Sequence, residues 1–171
     1  MINSCVHVYT GDGKGKTTAA MGLALRATGC GLSVKVVQFL KGRDSGEVPA
    51  LEKLGVEIRR VSAGGKFFCA MNETEKKQLR RDVTALLPVI ESWLDNADVL
   101  VLDEALGALH CGVLKTDEVL RIIERRGGTE VVLTGRNAPG EILEHAQLVT
   151  EMREVKHYMN DGVPARRGIE F

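Results

Sequence analysis

The feature that most constrains the fold of this sequence is the segment TGDGKGKTT at residues 10–18. It follows the apolar run VHVY and precedes AAMGLALRA, a stretch of helix-forming residues. Glycines let backbone N–H groups converge on phosphate oxygens, and a helix N-terminus adds partial positive charge. Lys16 supplies a full charge, and the Thr17 hydroxyl can bind Mg²⁺. The segment predicts a phosphate-binding loop, or P-loop, between a strand and a helix.

The spacing within this loop departs from the common pattern GxxxxGK[ST]. Counting back from Gly15 places Thr10 at the position of the first glycine, and counting from Gly11 leaves the loop one residue short. We therefore expect the loop to hold a triphosphate in an altered way. The spacing weakens an assignment to the ordinary ATPases.

A second motif supports the prediction of nucleotide binding. The segment VLVLDE at 99–104 places Asp103 and Glu104 after an apolar run that is typical of a central parallel strand. Ligands of open α/β sheets bind at the carboxyl ends of the strands. We expect at least one of these acids to hold Mg²⁺, and the spacing leaves open which one. The alternative is that both are loop acids or helix caps.

The rest of the chain alternates between patterns typical of strands and of helices. Strands are predicted at 6–9, 33–40, 56–61, 99–102, 130–135 and 148–152. Helices are predicted at 17–28, 49–55, 72–94, 116–126 and 139–146. This alternation predicts an α/β fold, a single P-loop NTPase-like (RecA-like) domain over residues 1–171 with a mostly parallel central sheet flanked by helices.

Three local details of the helices can be checked directly. In the first helix, Met21, Leu25 and Thr28 are expected to lie on one face. Asn72 and Glu75 predict a capping box at the start of the long helix. Pro88 predicts a kink or a break within that helix.

Composition excludes several classes of protein. The 171 residues include 23 basic and 23 acidic groups, which argues against a nucleic-acid protein held by bulk electrostatics. No apolar run approaches the roughly 20 residues that span a bilayer, and no signal peptide is recognised. The four cysteines form no CxxC pair, so no zinc site is predicted. We expect a cytoplasmic protein with no membrane or nucleic-acid partner.

The sequence resembles the P-loop ATP:cob(I)alamin (corrinoid) adenosyltransferases from about Val6 to Phe171. The shortened GDGKGKTT loop is specific to this family, as is the combination of QFLKG, LTGR and VKH with a terminal GIEF. The GKT and DE elements are shared with P-loop proteins in general.

The resemblance implies an unusual use of ATP. In this family the cobalt(I) of a reduced corrinoid attacks the 5′ carbon of ATP, the adenosyl group is transferred, and tripolyphosphate leaves. The triphosphate lies in the direction opposite to that in most P-loop enzymes. The resemblance also implies Mg²⁺ (or Mn²⁺), a homodimer, and an electron donor such as a flavoprotein, in adenosylcobalamin biosynthesis or salvage.

Functional positions carry over from the family residue by residue. Lys14 and Lys16 would neutralise the leaving group, while Thr17 and Glu104, with Asp103 as a further candidate, would position the metal. Lys16, Thr17 and Glu104 are the expected catalytic residues. The expected phosphate-binding residues form the loop itself: Gly11, Asp12, Gly13, Lys14, Gly15, Lys16, Thr17 and Thr18.

Further residues near the predicted ligand edge are candidates with stated alternatives. Gln38 and Lys41, in QFLKG, are expected to have a binding or structural role. Arg136, in LTGR, would reach phosphate or order the loop, and is otherwise a solvated arginine. His157 could face a ligand, but packing is the favoured interpretation, as it is for Trp93 on the long helix.

The sequence departs from the family pattern in two places. Family members carry a Phe and a Trp two residues apart that displace the axial ligand of cobalt; alignment places Phe67 and Cys69 there. Phe68 could substitute for the Trp with a different geometry, or both Phe residues are core residues. The chain also begins almost at its first strand, without the helical segment that covers the active site in some members. The corrinoid site is therefore expected either to be more open or to be ordered by something else.

Two other functions remain as alternatives. A P-loop NTP hydrolase or kinase would need a water-positioning residue or an acceptor site, and the sequence shows a convincing signature of neither. A non-catalytic corrinoid or nucleotide carrier would not need GKGKTT and DE, since a carrier has no need of magnesium chemistry.

Overall fold

A computed structural model describes residues 4–42, 45–62, 64–66 and 68–171. Within this part of the chain, six parallel strands form one sheet in the order β3-β2-β4-β5-β1-β6. The parallel sheet with flanking helices confirms the predicted fold class. The strands are β1 Val6–Thr10, β2 Val34–Phe39, β3 Glu57–Val61, β4 Val99–Asp103, β5 Glu130–Thr134 and β6 Leu148–Glu151.

The helices follow the predicted order, with one addition. The addition is α4, a short helix that begins directly after Glu104. Its six residues are too few to show a helical period in the sequence. The helices are α1 Lys16–Gly29, α2 Glu47–Lys53, α3 Glu73–Trp93, α4 Ala105–His110, α5 Thr116–Arg125 and α6 Gly140–Glu144; Phe68–Ala70 and Tyr158–Asp161 form 3₁₀ turns.

The start of α3 confirms the predicted capping box. The Oδ1 of Asn72 accepts a hydrogen bond from the backbone N of Glu75 at 2.9 Å, and the Glu75 carboxylate accepts from the backbone N of Asn72 at 2.8 Å. The helix continues through Pro88 to Trp93, so the predicted break does not occur. Trp93 is only 5% exposed, in agreement with its expected packing role.

The buried face of α1 does not include Leu25. That side chain is 53% exposed, whereas the buried positions of α1 are Ala20, Met21, Ala24 and Ala27. Three of these four side chains are methyl groups, which allow the helix backbone to approach β4 and β5 closely. The face of α1 that packs against the sheet therefore consists mainly of small residues. The larger Leu25 lines a cleft beside the glycine loop.

Both faces of the sheet are covered. Alternate residues of a strand point to opposite faces, so Leu100 and Leu102 join the core beneath α3–α5, while Val99 and Val101 join the core beneath α1. Only the strand ends are left for ligands, and the carboxyl ends of parallel strands meet at one edge. Among the described residues, no helix has the length and apolar character needed to cross a membrane.

Candidate active site

The glycine loop lies between β1 and α1, as predicted. Gly11 and Gly15 have φ angles of 98° and 116°, in the region that favours glycine. Lys16 is the first residue of α1, and its Nζ donates to the carbonyl oxygens of Gly11 at 2.6 Å and Gly13 at 2.7 Å. Partial burial, followed by the nearby charge of Arg136, lowers the pKa of Lys16. Its ammonium is thus held at the centre of the loop.

Asp103 joins four neighbouring elements at the carboxyl edge of the sheet. It is fully buried at the end of β4. Its Oδ1 accepts from the hydroxyls of Thr17 at 2.9 Å and Thr134 at 2.7 Å. Its Oδ2 accepts from Gln38 Nε2 at 3.2 Å and lies 2.8 Å from the Nζ of Lys41. The structure therefore brings together four residues that were singled out in the sequence, and adds Thr134.

Thr134 was missed as a site residue. It ends β5 within the segment LTGR, and its hydroxyl also accepts from the backbone N of Glu104 at 2.8 Å. Its position at the carboxyl end of a predicted parallel strand was a signal that could have identified it.

Glu104 has an unusual backbone conformation. Its φ of 60° lies in the left-handed region, which costs a non-glycine residue about 1–3 kcal/mol. The carboxylate of Glu104 occupies the space beside Gly107. A Cβ atom at Gly107 would lie 2.5 Å from Glu104 Oε1, so a larger residue there would displace the carboxylate. Burial, and then the charge of Asp103, raise the pKa of Glu104. Strain of this kind is typical of functional sites.

Arg136 reaches the loop from the end of β5. Its Nη2 donates to the carbonyl oxygen of Asp12 at 3.2 Å, and its Nε lies 3.5 Å from Asp12 Oδ1. The arginine side chain is 60% exposed. This contact is the one expected of a residue that orders the loop, and exposure leaves the guanidinium available to an anion.

Lys14 binds different groups from those bound by the other loop lysine, Lys16. Its Nζ donates to groups near the end of the chain: the Tyr158 hydroxyl, the Ile169 carbonyl and the Glu170 carboxylate. Thr18 is exposed on the first turn of α1 and lines a cleft beside the glycine loop. His157 accepts from the backbone N of Met159 at 3.1 Å, which agrees with a local structural role.

Two clefts lie on either side of these residues. The first has a volume of about 750 Å³ and is lined by the loop, by α1 and α2, and by residues 168–171. The second has a volume of about 560 Å³, and its lining includes Phe68, Glu104, Cys111 and Arg136. Lys41 lines both clefts. Both volumes are typical of small-molecule sites, so the site has room for two ligands.

The segment expected to face the corrinoid lies beside the second cleft. Phe68 is partly buried, packs against the core and also lines this cleft, while Cys69 is exposed. The Nζ of Lys76 is 5.4 Å from the centroid of the Phe68 ring. The prediction for Phe67 lies outside the described residues. Phe68 thus packs against the core and also forms part of the wall of the second cleft.

The oxygen donors beside the loop fit the chemistry of magnesium. Mg²⁺ prefers oxygen ligands and is commonly held by one or two carboxylates together with substrate phosphates. Thr17, Asp103 and Glu104 offer a hydroxyl and two carboxylates at one place. Within the described ranges, the buried Oε1 of Gln38 has no hydrogen-bond partner, so a further polar group is expected next to Asp103. The residues present fit such a metal.

The parallel sheet, the glycine loop and the acidic strand end define a P-loop nucleotide-binding protein. The solved structure of the KaiC-like protein PH0186 from Pyrococcus horikoshii OT3 has the same fold, with a TM-score of 0.52. The alignment has 19% identity and covers 88% of this chain and 72% of that chain.

The particular family follows from the sequence comparisons. The model of the ATP:corrinoid adenosyltransferase family BtuR/CobO/CobP matches residues 3–171. The chain is 38% identical to the corrinoid adenosyltransferase CobA of Salmonella typhimurium and 40% identical to the corrinoid adenosyltransferase of Pseudomonas aeruginosa. These alignments cover 96% of this chain and 84% and 82% of the two relatives. The chain belongs to the ATP:corrinoid adenosyltransferase family, which confirms the resemblance.

Proposed function

We propose that this protein transfers the 5′-deoxyadenosyl group of ATP to the cobalt(I) of a reduced corrinoid and releases tripolyphosphate, in adenosylcobalamin biosynthesis or salvage. The observation that carries the proposal is the junction of Thr17, Lys41 and Asp103 between two clefts. Lys41 lines both clefts, so a nucleotide and a second substrate can each reach its charge. Neither alternative, hydrolase or carrier, gains support from the relatives.

The reaction asks for alignment and charge stabilisation more than for acid–base catalysis. A lone pair of cobalt(I) forms the bond to C5′, the C5′–O bond breaks, and the tripolyphosphate leaves with its electron pair. Cobalt(I) is already a powerful nucleophile, so no protein base is needed to activate it. The protein must hold the two substrates in line and stabilise the negative charge that develops on the leaving group.

The loop residues are suited to that second task. Lys16 and the loop N–H groups other than that of Gly13, which donates to the Met152 carbonyl, would bind the phosphates. Arg136 lies beside Asp12 at the rim of the loop. Asp103 fixes the Thr17 hydroxyl, because the hydroxyl hydrogen is donated to Oδ1 and a lone pair of Oγ1 stays available. The Nζ of Lys41, 3.2 Å from that oxygen, adds a further positive charge.

A divalent metal, Mg²⁺ or Mn²⁺, is part of the proposal. Thr17 and Glu104, with Asp103, would hold it, and it would supply positive charge to the leaving tripolyphosphate. Glu104 follows Asp103 directly in the chain, and the charge of Asp103 influences the Glu104 carboxyl.

The second cleft is the proposed place of the corrinoid. Phe68 lines it, and Phe67 belongs to the same segment; these rings would displace the axial ligand of cobalt(II) and ease its reduction. An electron donor such as a flavoprotein and a homodimer, both implied by the family, complete the proposal, together with the cytoplasmic location expected from the composition.

An anaerobic assay with Mg-ATP and chemically reduced cob(I)alamin tests the reaction. The light-sensitive spectrum of the cobalt–carbon bond reports adenosylation, and the released phosphate is identified separately. Adenosylated corrinoid with tripolyphosphate supports the proposal. Steady orthophosphate without adenosylation would instead indicate a hydrolase or kinase, and bound ATP with neither product would indicate a carrier.

A further inference from the structure

The end of the chain forms one wall of the glycine loop. We use "C-terminal tail" for residues 152–171, the part of the chain that follows β6. The backbone N of Gly13 donates to the carbonyl oxygen of Met152 at 2.7 Å. A Cβ atom on Gly13 would lie 2.7 Å from the backbone C of Arg153, so only glycine fits against the tail at this position.

Lys14 makes a second link between the loop and the C-terminal tail. An ammonium group has three N–H donors. The Nζ of Lys14 lies 2.7 Å from the Tyr158 hydroxyl, 3.2 Å from the Ile169 carbonyl and 2.7 Å from Glu170 Oε1. All three acceptors belong to the tail, whereas Lys16 donates to the loop itself. The two loop lysines thus have different tasks.

Glu170 is the centre of this link. Besides Lys14, its carboxylate accepts from the Tyr158 hydroxyl and, at 2.6 Å, from the backbone N of Arg166. The Arg166 guanidinium lies 3.5 Å away. The Glu170 side chain is only 14% exposed, and the hydrogen bond from Lys14 contributes most to holding its pKa far below the usual range. We call Lys14, Tyr158, Arg166 and Glu170 the tail clamp.

We propose that Glu170 is a positioning residue for the nucleotide, and that it acts through Lys14 by ordering the glycine loop. The inference rests on the proposed function, in which that loop binds the phosphates of ATP. A loop rich in glycine has much conformational freedom to lose. Because the tail clamp already orders the loop in the folded protein, the loop loses less conformational entropy when ATP binds.

The charges of the tail clamp favour positioning over competition. A carboxylate near the phosphates would repel them if it stood alone. Glu170 is accompanied by two cations, Lys14 and Arg166, so the clamp as a whole is positive. Neutralising Glu170 alone makes the clamp more positive, which favours phosphate electrostatically, so weaker ATP binding by Glu170→Gln would report the loss of loop order.

A double-mutant cycle on Mg-ATP affinity, measured by calorimetry, tests this inference. Glu170→Gln is expected to weaken binding about 3–30-fold, a size typical of coupled neighbours. Lys14→Met should weaken it at least as much, and the double variant should bind no more weakly than Lys14→Met alone. The matched control is Glu154→Gln on the same tail, whose carboxylate accepts from Asn160 at 3.2 Å; its affinity should match wild type.

Unchanged or tighter binding by Glu170→Gln would overturn the inference, and so would an equal loss in the Lys14→Met background. Melting temperatures check that each variant is folded. If Glu170→Gln fails to fold, the cycle is repeated with Tyr158→Phe, which removes one hydrogen bond to Glu170 and keeps both charges. Failure of the proposed function is a separate result, because a wild-type protein that binds Mg-ATP without adenosylating a corrinoid still permits this cycle.

Discussion

The Nζ of Lys41 lies 2.8 Å from Oδ2 of Asp103, a carboxylate with no exposed surface. A buried carboxylate is unfavourable unless hydrogen bonds or an opposite charge compensate it. Two hydroxyls and an amide supply three hydrogen bonds to Asp103, and Lys41 supplies the charge. Lys41 lies just beyond the end of β2, so this pair ties two neighbouring strand ends together at the site.

Replacing Lys41 by Met should destabilise the fold. The carboxylate of Asp103 would keep only neutral donors, and because Lys41 is partly exposed we expect a loss of about 1–3 kcal/mol in the free energy of unfolding. Urea denaturation measures the loss. Adding Asp103→Asn to Lys41→Met should restore most of it, because no buried charge then remains. If the two losses simply add, the charge compensation is not what holds these residues together.

Lys16 and Glu104 should separate nucleotide binding from turnover. Lys16→Ala removes the charge at the centre of the loop and should abolish measurable ATP binding. Glu104→Gln keeps the shape of the side chain but removes its charge, and should lower turnover about 10²–10³-fold with a smaller effect on ATP affinity. Calorimetry and the adenosylation assay give the two quantities. Normal binding and turnover in Lys16→Ala would show that the loop assignment is wrong.

Replacing Gly107 should lower activity, because Gly107 leaves space for the carboxylate of Glu104. In Gly107→Ala the new methyl group would lie 2.5 Å from Glu104 Oε1, so the carboxylate must move. We expect turnover to fall at least tenfold while the protein stays folded. Gly29→Ala is the matched control, since Gly29 is also helical and its Cβ would meet nothing within 4 Å. Equal activity of the two variants would show that the position of Glu104 is not critical.

The sequence predicts those site residues that lie at the carboxyl ends of parallel strands. Asp103, Gln38 and Lys41 follow from the rule that such ends share an edge, and their contacts agree with it. The direction of Lys14 did not follow. The side chain of a loop residue can point to either side, and here three acceptors 144, 155 and 156 positions along the chain hold it.

Strand order and helix faces also depend on distant parts of the chain. β1 lies between β5 and β6, and neither pairing leaves a local mark in the sequence. The exposed Leu25 shows the same limit, because hydrophobicity favoured it and the close approach of α1 to the sheet selected alanines instead. Short-range signals were reliable where the partners were also local, as in the Asn72–Glu75 capping box.

Phe67 and Phe68 should affect the reduction of cobalt(II) more than the transfer of the adenosyl group to cobalt(I). Phe68→Ala and Phe67→Ala are each expected to spare reaction with chemically reduced cobalt(I) and to slow reaction that starts from cobalt(II), because only the second requires displacement of the axial ligand. Parallel assays that start from cobalt(I) and from cobalt(II) give the ratio of the two adenosylation rates for each variant. Trp93→Phe, in the core, is the control, and its ratio should equal that of wild type. Equal losses in both assays would remove the ligand-displacement role.

The ion pair of Arg80 and Glu118 should make stability depend on pH. Arg80 Nη1 donates to Glu118 Oε2 at 2.8 Å, which joins α3 to α5. Hydrogen bonding from Arg80 is the main cause that lowers the pKa of Glu118 below its ordinary value of 4.5. The unfolded state therefore binds a proton more readily, so this stabilisation is complete well above 4.5 and is lost as the pH falls through the folded-state pKa.

Glu118→Gln should accordingly cost about 1–3 kcal/mol in the free energy of unfolding near neutral pH. The difference from wild type should shrink as the pH falls below the ordinary value of 4.5, because protonation removes the same charge from the native protein. Urea denaturation across this range measures the difference. Glu73→Gln is the control: Glu73 also pairs with a cation, Lys76, but its side chain is 79% exposed, so its loss should change stability little at any pH. A Glu118→Gln difference that is the same at neutral and acid pH would mean that packing, rather than charge, is what the glutamate contributes between α3 and α5.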